Sequence, residues 1–468
     1  MHSEAFRHWS QKAAEWGADY RDGLRDLPVR PRLEPGQVLN TIAASPPEAA
    51  EPMDEIFAEA KIVPGMTHWQ HPRFFAYFPA NAAPVSVVAE YLVSAMAAQC
   101  MLWQTSPAAT ELETRVVDWM RQALGLPKSF AGVIQDSASS ATLAAVLTMR
   151  ERALDWQGNK SGLSAAPRIR VYCSEHVHTS IDRAIWISGI GDDNLVRIPS
   201  EGRFRALSPE GLDAAIVEDR NNGLLPAGII ACVGGTSVGG TDDVAAVVEV
   251  ARRHGLYVHV DAAWAGSAMI CPEFRHFWAG VEGVDSIVFN PHKWLGAQFD
   301  CSIQFIRDPE SLVRTLAIRP EFLKTHGRDG ITNYSEWSVP LGRRFRALKL
   351  WFLLRAHGLD GLRGMIRNHV RWSEGLAQRL GREVDFEITS EPMLSLFSFR
   401  HAPPGVDDLD DHNLALVEAI NRDGRIYLTQ TRLDGRAVIR FQAGQFEATE
   451  ADVDTAFEVI VEIARAAG

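Results

Sequence analysis

From residue 107 to about 375, short apolar runs alternate with longer stretches in which apolar positions recur every three or four residues. Runs at 132–135, 168–173, 228–233, 256–260, 284–289 and 301–306 have the length and bulk of buried strands, and several of the stretches between them carry the helical period. This alternation predicts βαβ units and an α/β domain with a mostly parallel sheet. A helix is predicted from a Thr110-x-x-Glu113 capping box to about Leu124, and a second follows the strand ending at Gln135 and reaches about Leu154. Ahead of this region, Phe6, Trp9, Ala13, Trp16, Tyr20 and Leu24 fall three or four apart. They predict a terminal helix with an aromatic face that needs a surface to cover. Proline-rich connectors come next, so residues 1–85 read as an N-terminal helical segment that packs on a second subunit. After a helical passage at 344–380 the pattern changes. Strands at 393–400 and 437–441 bracket a helix near 411–422, Leu433-Asp434-Gly435-Arg436 has hairpin-turn chemistry, and a last helix starts at Thr449. The expected division is a large domain over 86–378 and a small α+β domain over 379–468.

Composition excludes more than it chooses. The formal net charge of -12, with no long basic run, argues against a nucleic-acid partner. No apolar run approaches the ~18 residues of a membrane span, so no membrane partner is expected. The cysteines, Cys100, Cys173, Cys232, Cys271 and Cys301, are odd in number and never in C-x-x-C spacing. That speaks against a disulfide framework or a bound metal and for a cytoplasmic setting, as does a start without the apolar core of a secretory signal.

Four groups at predicted strand ends carry chemistry. Asp136 to Thr142 (DSASSAT) joins a strand to a helix through small hydroxyl residues, which suits an anion at a helix start but also an ordinary turn. His176 and His178 follow another strand as metal ligands, as a ring to stack on a flat ligand, or as plain loop residues. His259 and Asp261 share one face of a strand, and an aspartate closing so apolar a run needs a cationic partner. Lys293 sits between His292 and Trp294, where desolvation would favour the neutral, nucleophilic amine; an ion pair at a strand end is the plainer reading. Together, in that chain order, these are the parts of a pyridoxal phosphate site.

Six stretches extend the likeness: HPRFFAYFPA (71–80), SPAATELE (106–113), HVDAAWAGSA (259–268), CPEFRH (271–276), NPHKWL (290–295) and SVPLGRRFRALK (338–349). With them the chain closely resembles the group II, pyridoxal-phosphate-dependent aromatic L-amino-acid decarboxylases. The resemblance implies the aspartate-aminotransferase-like fold type I, pyridoxal 5'-phosphate as cofactor, and a homodimer with shared active sites. It implies that Lys293 bonds the cofactor's aldehyde, that Asp261 pairs with the ring nitrogen, that His178 stacks on the ring, and that Thr236 lies near it. Ser137, Ala138 and Ser139, helped by Asn290 and His292, would hold the phosphate. Trp69, Tyr77, Phe78 and Pro79 match a substrate-side wall suited to a small-molecule aromatic amino acid. The stretch 325–334 resembles the family's mobile catalytic loop, with Tyr334 at the position that returns a proton to Cα; phenylalanine there goes with aldehyde release.

Some positions depart from the family pattern. Trp264 replaces a usual Tyr, Ser140 a frequent Glu, Asp136 a frequent Gly and Ala80 a Thr, while Met101 and Leu102 precede Trp103 where an aromatic is common. Gly342 leaves room that an indole could use. These changes bear on the substrate, not on the cofactor. The expected reaction is decarboxylation to an arylalkylamine and carbon dioxide. The alternatives are aldehyde release, a non-aromatic substrate such as glutamate, an inactive cofactor binder, or a metal-dependent hydrolase built on His176, His178, His259 and Asp261.

Overall fold

The structure, a computed structural model, describes residues 1–59, 63–318 and 331–467. Its centre is a seven-stranded sheet: β1 (Ala131–Gln135), β2 (Ile169–Ser174), β3 (Leu195–Ile198), β4 (Leu225–Cys232), β5 (Tyr257–Asp261), β6 (Ser286–Phe289) and β7 (Ser302–Ile306). The spatial order is β1-β7-β6-β5-β4-β2-β3, and β7 alone runs against its neighbours. β5 and β6 are buried at every position, as strands covered on both faces must be.

Helix α1 (Ser3–Asp22) has no buried residue, and Phe6 and Trp16 stay exposed, so its aromatic face lies largely uncovered within one chain. α2 (Pro84–Met96) and α3 (Pro107–Leu124) precede the sheet. α3 corrects the predicted capping box. Pro107, with its fixed φ, opens the helix after Ser106, so Thr110 lies a turn inside. Glu113 is instead buried, accepting hydrogen bonds from Ile134 N (2.9 Å) and Arg343 Nη2 (2.6 Å). A buried carboxylate with a guanidinium partner outweighs a local cap.

α4 (Ala138–Ala153) lies on the sheet with small residues on most sides, and α5 (Ser180–Ile187) and α6 (Val244–His254) follow later strands. The helical stretch α7 (Ala347–Leu380), broken by a kink at Gly358 (φ 61°, ψ 171°), leads to a four-stranded antiparallel sheet of β8 (Phe386–Met393), β9 (Leu396–His401), β10 (Thr429–Leu433) and β11 (Arg436–Gln442), in order β8-β9-β11-β10. α8 (Leu409–Asp423) and α9 (Glu450–Ala467) pack with it. The predicted hairpin turn forms, with positive φ at both Asp434 and Gly435. The strand expected at 393–400 begins at Leu396, because Leu394 turns the chain out of the preceding β8.

The N-terminal segment does not stay apart from the small domain of its own chain. Phe75 N donates to Tyr427 O (3.0 Å), Gln442 N donates to Phe75 O (3.2 Å), and the Phe75 ring lies 4.6 Å from Phe441. Residues 73–78 thus run between the small sheet and the large domain, and this carries Phe78 to the strand ends.

His71, His259, His292 and His369 are buried, and desolvation pushes their pKa values down to about 3, 4, 3 and 3. Burial pushes Asp242 up to about 6, with the opposite sign. The unfolded imidazoles titrate near ~6.5, so the histidines' contribution is fully present above that pH and is lost as pH falls toward their folded values. Over these five groups, near pH ~5.5 the unfolded state binds about three more protons than the native one, a contribution to the slope of about 4 kcal/mol per pH unit. The thermal midpoint should therefore fall clearly between about pH 7 and about pH 5.5. A flat profile by circular dichroism would contradict the buried neutral histidines.

Candidate active site

Strand ends and one helix start enclose a hollow of about 300 Å3. β4 ends at Cys232 and gives way to Gly234, Gly235 and Thr236, while β5 ends at Asp261; parallel pairing sets Cys232 beside Asp261. The turn after β6 brings Asn290, His292 and Lys293, and α4 begins at the rim with Ser137, Ala138 and Ser139. His178, beyond β2, completes the ring. All nine residues expected to hold the cofactor line this one hollow.

The Lys293 amine is surrounded closely enough that desolvation lowers its pKa, against the opposing pull of Asp261 and Cys232. Its Nζ lies 5.2 Å from the centre of the Phe78 ring, which stacks on Trp264 at 4.5 Å. Asp261 is 5% exposed, and one of its oxygens accepts from Ala263 N (3.0 Å). Among the described residues, no cation lies within ion-pair distance of it.

The remaining polar groups are arranged as donors. Ser180 N donates to His178 Nδ1 (3.0 Å) and Cys301 N to His292 Nδ1 (2.9 Å), so each neutral ring carries its proton on Nε2. Desolvation keeps both imidazoles neutral. Asn290 Oδ1 accepts from Ser302 Oγ (2.6 Å), which leaves its NH2 as donor. Ser137 caps α4 by accepting from Ser140 N (3.2 Å), and the first amides of that helix have no partner within it.

The substrate-wall expectations divide. Phe78 lines the hollow. Trp69 and Tyr77 stack on each other at 5.8 Å, both exposed, outside its lining. Pro79 and Ala80 continue that segment, with Ala80 O accepting from Gln70 Nε2 (2.6 Å). Trp103 faces a separate hollow of about 530 Å3 with Glu111 and Arg115, Met101 O accepts from Ser335 N (3.0 Å), and Gly342 lies near Gln99. Tyr334 is buried in yet another hollow, its hydroxyl 2.9 Å from that of Thr114 and its pKa pushed up by burial. Within one chain, then, Met101, Trp103, Gly342 and Tyr334 are not brought to Lys293. Residues 325–330 of the expected loop lie outside the described residues.

Residues 35–402 match the pyridoxal-dependent decarboxylase conserved domain. The chain belongs to that family. This pyridoxal-dependent decarboxylase is 37% identical to phenylacetaldehyde synthase of Arabidopsis thaliana, over 99% of this chain and 96% of that protein. It is also 37% identical to tryptophan decarboxylase 2 of Oryza sativa subsp. japonica, over 98% and 94%. A crystal structure of Oryza sativa TDC with PLP and tryptamine superposes with a TM-score of 0.96 at 35% identity, covering 100% of this chain and 99% of that one. Fold type I and the pyridoxal 5'-phosphate cofactor, both expected from the sequence, hold for this decarboxylase.

The residues present fit that cofactor. A nearly buried carboxylate without a cation suits a protonated ring nitrogen, and a neutral set of N–H donors at the helix start suits a phosphate. Lys293 would supply the amine that the aldehyde requires. No described group of three or more His, Cys, Asp or Glu residues is arranged to hold a metal, and His259 is occupied by Ser286 (2.7 Å) away from the hollow. The metal-hydrolase alternative therefore has no site among the described residues. Sequence reasoning missed Cys232, Gly234 and Gly235, which form the floor only through the β4–β5 register; the run Gly234–Gly235 after a strand was the available signal.

Proposed function

We propose that this enzyme removes the carboxyl group of an aromatic L-amino acid, releasing carbon dioxide and the arylalkylamine. The observation that carries the reading is the stacked Phe78–Trp264 wall beside Lys293, a flat apolar surface for a planar side chain. Bound pyridoxal phosphate supplies an electron sink for the pair left on Cα when the carboxylate departs. The chain's own residues do the rest. Lys293, whose pKa burial lowers, is placed to exchange a proton at Nζ, and His178 Nε2–H is a second donor on the hollow. Asp261 holds positive charge at the opposite end, as the family resemblance implies.

The reading includes a homodimer. Val87, Val88, Tyr91, Leu92 and Met96 on α2 leave a contiguous apolar helix face exposed, a feature that marks protein contacts, and Val339 and Leu341 are exposed as well. A second chain would let Met101, Trp103 and Gly342 of one protomer complete the wall opposite Lys293 of the other. Five unpaired cysteines fit a reducing, cytoplasmic setting, and no described helix is long and apolar enough to cross a membrane.

A second reading, release of an aromatic aldehyde, is favoured by one observation: the Tyr334 hydroxyl is engaged with Thr114, away from Lys293 of its own chain. One experiment separates the two. Protein with cofactor is given Trp, Tyr, Phe, DOPA, 5-hydroxytryptophan and, as a control, glutamate, and amine, aldehyde and peroxide are measured. Amine from at least one aromatic acid and none from glutamate supports the first reading; aldehyde with equimolar peroxide supports the second. Turnover of glutamate alone would overturn both. Tyr334→Phe should leave the product ratio unchanged if the hydroxyl only holds Thr114. A rise in aldehyde would instead make Tyr334 the proton donor, acting across subunits.

A further inference from the structure

We propose that Asn81 is a positioning residue for Lys293, holding the amine at its distance from the aromatic wall and locking both to the small domain. The proposal rests on the cofactor chemistry of the family and is independent of which amino acid is the substrate. Lys293 belongs to no helix or strand. Its peptide is held from within the turn by one hydrogen bond, Lys293 N to Asn290 O at 2.9 Å. The second anchor comes from a segment more than 200 residues away in sequence, where Asn81 Nδ2 donates to Lys293 O at 2.7 Å. The other Nδ2 proton goes to Gly444 O (2.7 Å), Oδ1 accepts from Phe446 N (2.9 Å), and Asn81 N donates to His292 O (2.9 Å). Two carbonyls on one side and an N–H on the other fix which way the amide faces.

The side chain is fully buried and does not line the hollow, so it touches neither substrate nor cofactor. It acts through Lys293. Phe78, three residues earlier, lies 5.2 Å from Nζ, and Ala83 N donates to Gly296 O (2.8 Å), so 81–83 and 292–296 are joined by hydrogen bonds at both ends. Gly296 shows how tightly the small domain closes on this pair. Its φ is +97°, and a Cβ there would stand 2.4 Å from the Phe446 ring. One amide therefore joins the three pieces whose spacing sets where the amine can meet an aldehyde.

The test replaces the amide without changing its shape. In Asn81→Asp, a protonated carboxyl can donate to one of the two carbonyls, whereas the ionised form donates to none and repels both. Pyridoxal phosphate affinity is measured by visible absorbance on cofactor-stripped protein at about pH 6 and about pH 8. His292 and Lys293 on the turn, and Glu447 beyond Phe446, are the titratable groups on the segments that Asn81 touches. They are common to wild type and variants, so the wild-type curve corrects for them. Relative to wild type, the Asn81→Asp affinity should fall about tenfold more at the higher pH. Asn81→Ser, which keeps one donor at every pH, should bind the cofactor more weakly by a constant factor. A purely structural role would lower the thermal midpoint of both variants, leave the Asn81→Ser affinity equal to wild type and keep that of Asn81→Asp in a fixed ratio to wild type at both pH values, and that result overturns the proposal. If Asn81→Asp does not fold, Asn81→Ser decides: affinity within twofold of wild type refutes the positioning role, and a loss of about tenfold upholds it.

Discussion

Lys293→Ala should give a folded protein that no longer turns yellow with pyridoxal phosphate and has lost at least about a thousandfold in turnover. Two functions vanish together: the amine that meets the aldehyde, and a proton carrier whose pKa has been lowered by burial toward neutrality. Lys293→Arg should not rescue either, because a guanidinium stays protonated and cannot act as the nucleophile. Stability should respond differently. The lysine ammonium pays for desolvation in the cofactor-free state, so removing it should leave the apo midpoint within a few degrees of wild type. Borohydride treatment of the holoenzyme followed by peptide mapping should place the label on Lys293. A variant that remains yellow and active would remove Lys293 from the centre of the site.

How much of this was readable beforehand depends on how each residue is held. The central strands were legible because β4, β5 and β6 are short apolar runs that only a doubly covered sheet can bury. β3 and β8 were not. β3 is a four-residue edge strand with a polar position, and β8 is mostly half-exposed, so neither leaves a buried run in the sequence. Lys293, Asp261 and His178 could be placed because each follows or ends a strand and carries its own chemistry. Cys232 could not, since only the parallel register sets it beside Asp261. Asn81 was equally silent: a lone Asn in a proline-flanked stretch gives no hint that it will meet Lys293, Gly444 and Phe446. Resemblance matched Met101, Trp103 and Tyr334 to a site, but likeness along the sequence does not say where the fold of one chain puts them, and here they lie away from Lys293.

Asp261→Asn should separate stability from catalysis more sharply than any other change. The side chains are nearly isosteric, and the amide oxygen can still accept from Ala263 N, so the end of β5 keeps its shape. What is lost is a negative charge that is 5% exposed, with no described cation in ion-pair range. In the cofactor-free protein that buried charge has no hydrogen-bonded cation and only the longer-range pull of Lys293 to offset its desolvation, so its removal should raise the apo thermal midpoint. In the holoenzyme the same carboxylate would be the partner that a protonated ring nitrogen needs, as the proposed function has it. An amide cannot hold that proton, and a loss of about three pKa units at the ring corresponds to about 4 kcal/mol, or roughly a thousandfold in kcat. KM for the amino acid should change little, because Asp261 lies on the strand end and Phe78 supplies the flat wall. A midpoint that falls while kcat stays within tenfold would mean that Asp261 serves the fold rather than the reaction. A midpoint that rises as kcat collapses would show a carboxylate kept buried, against its own stability, for the chemistry.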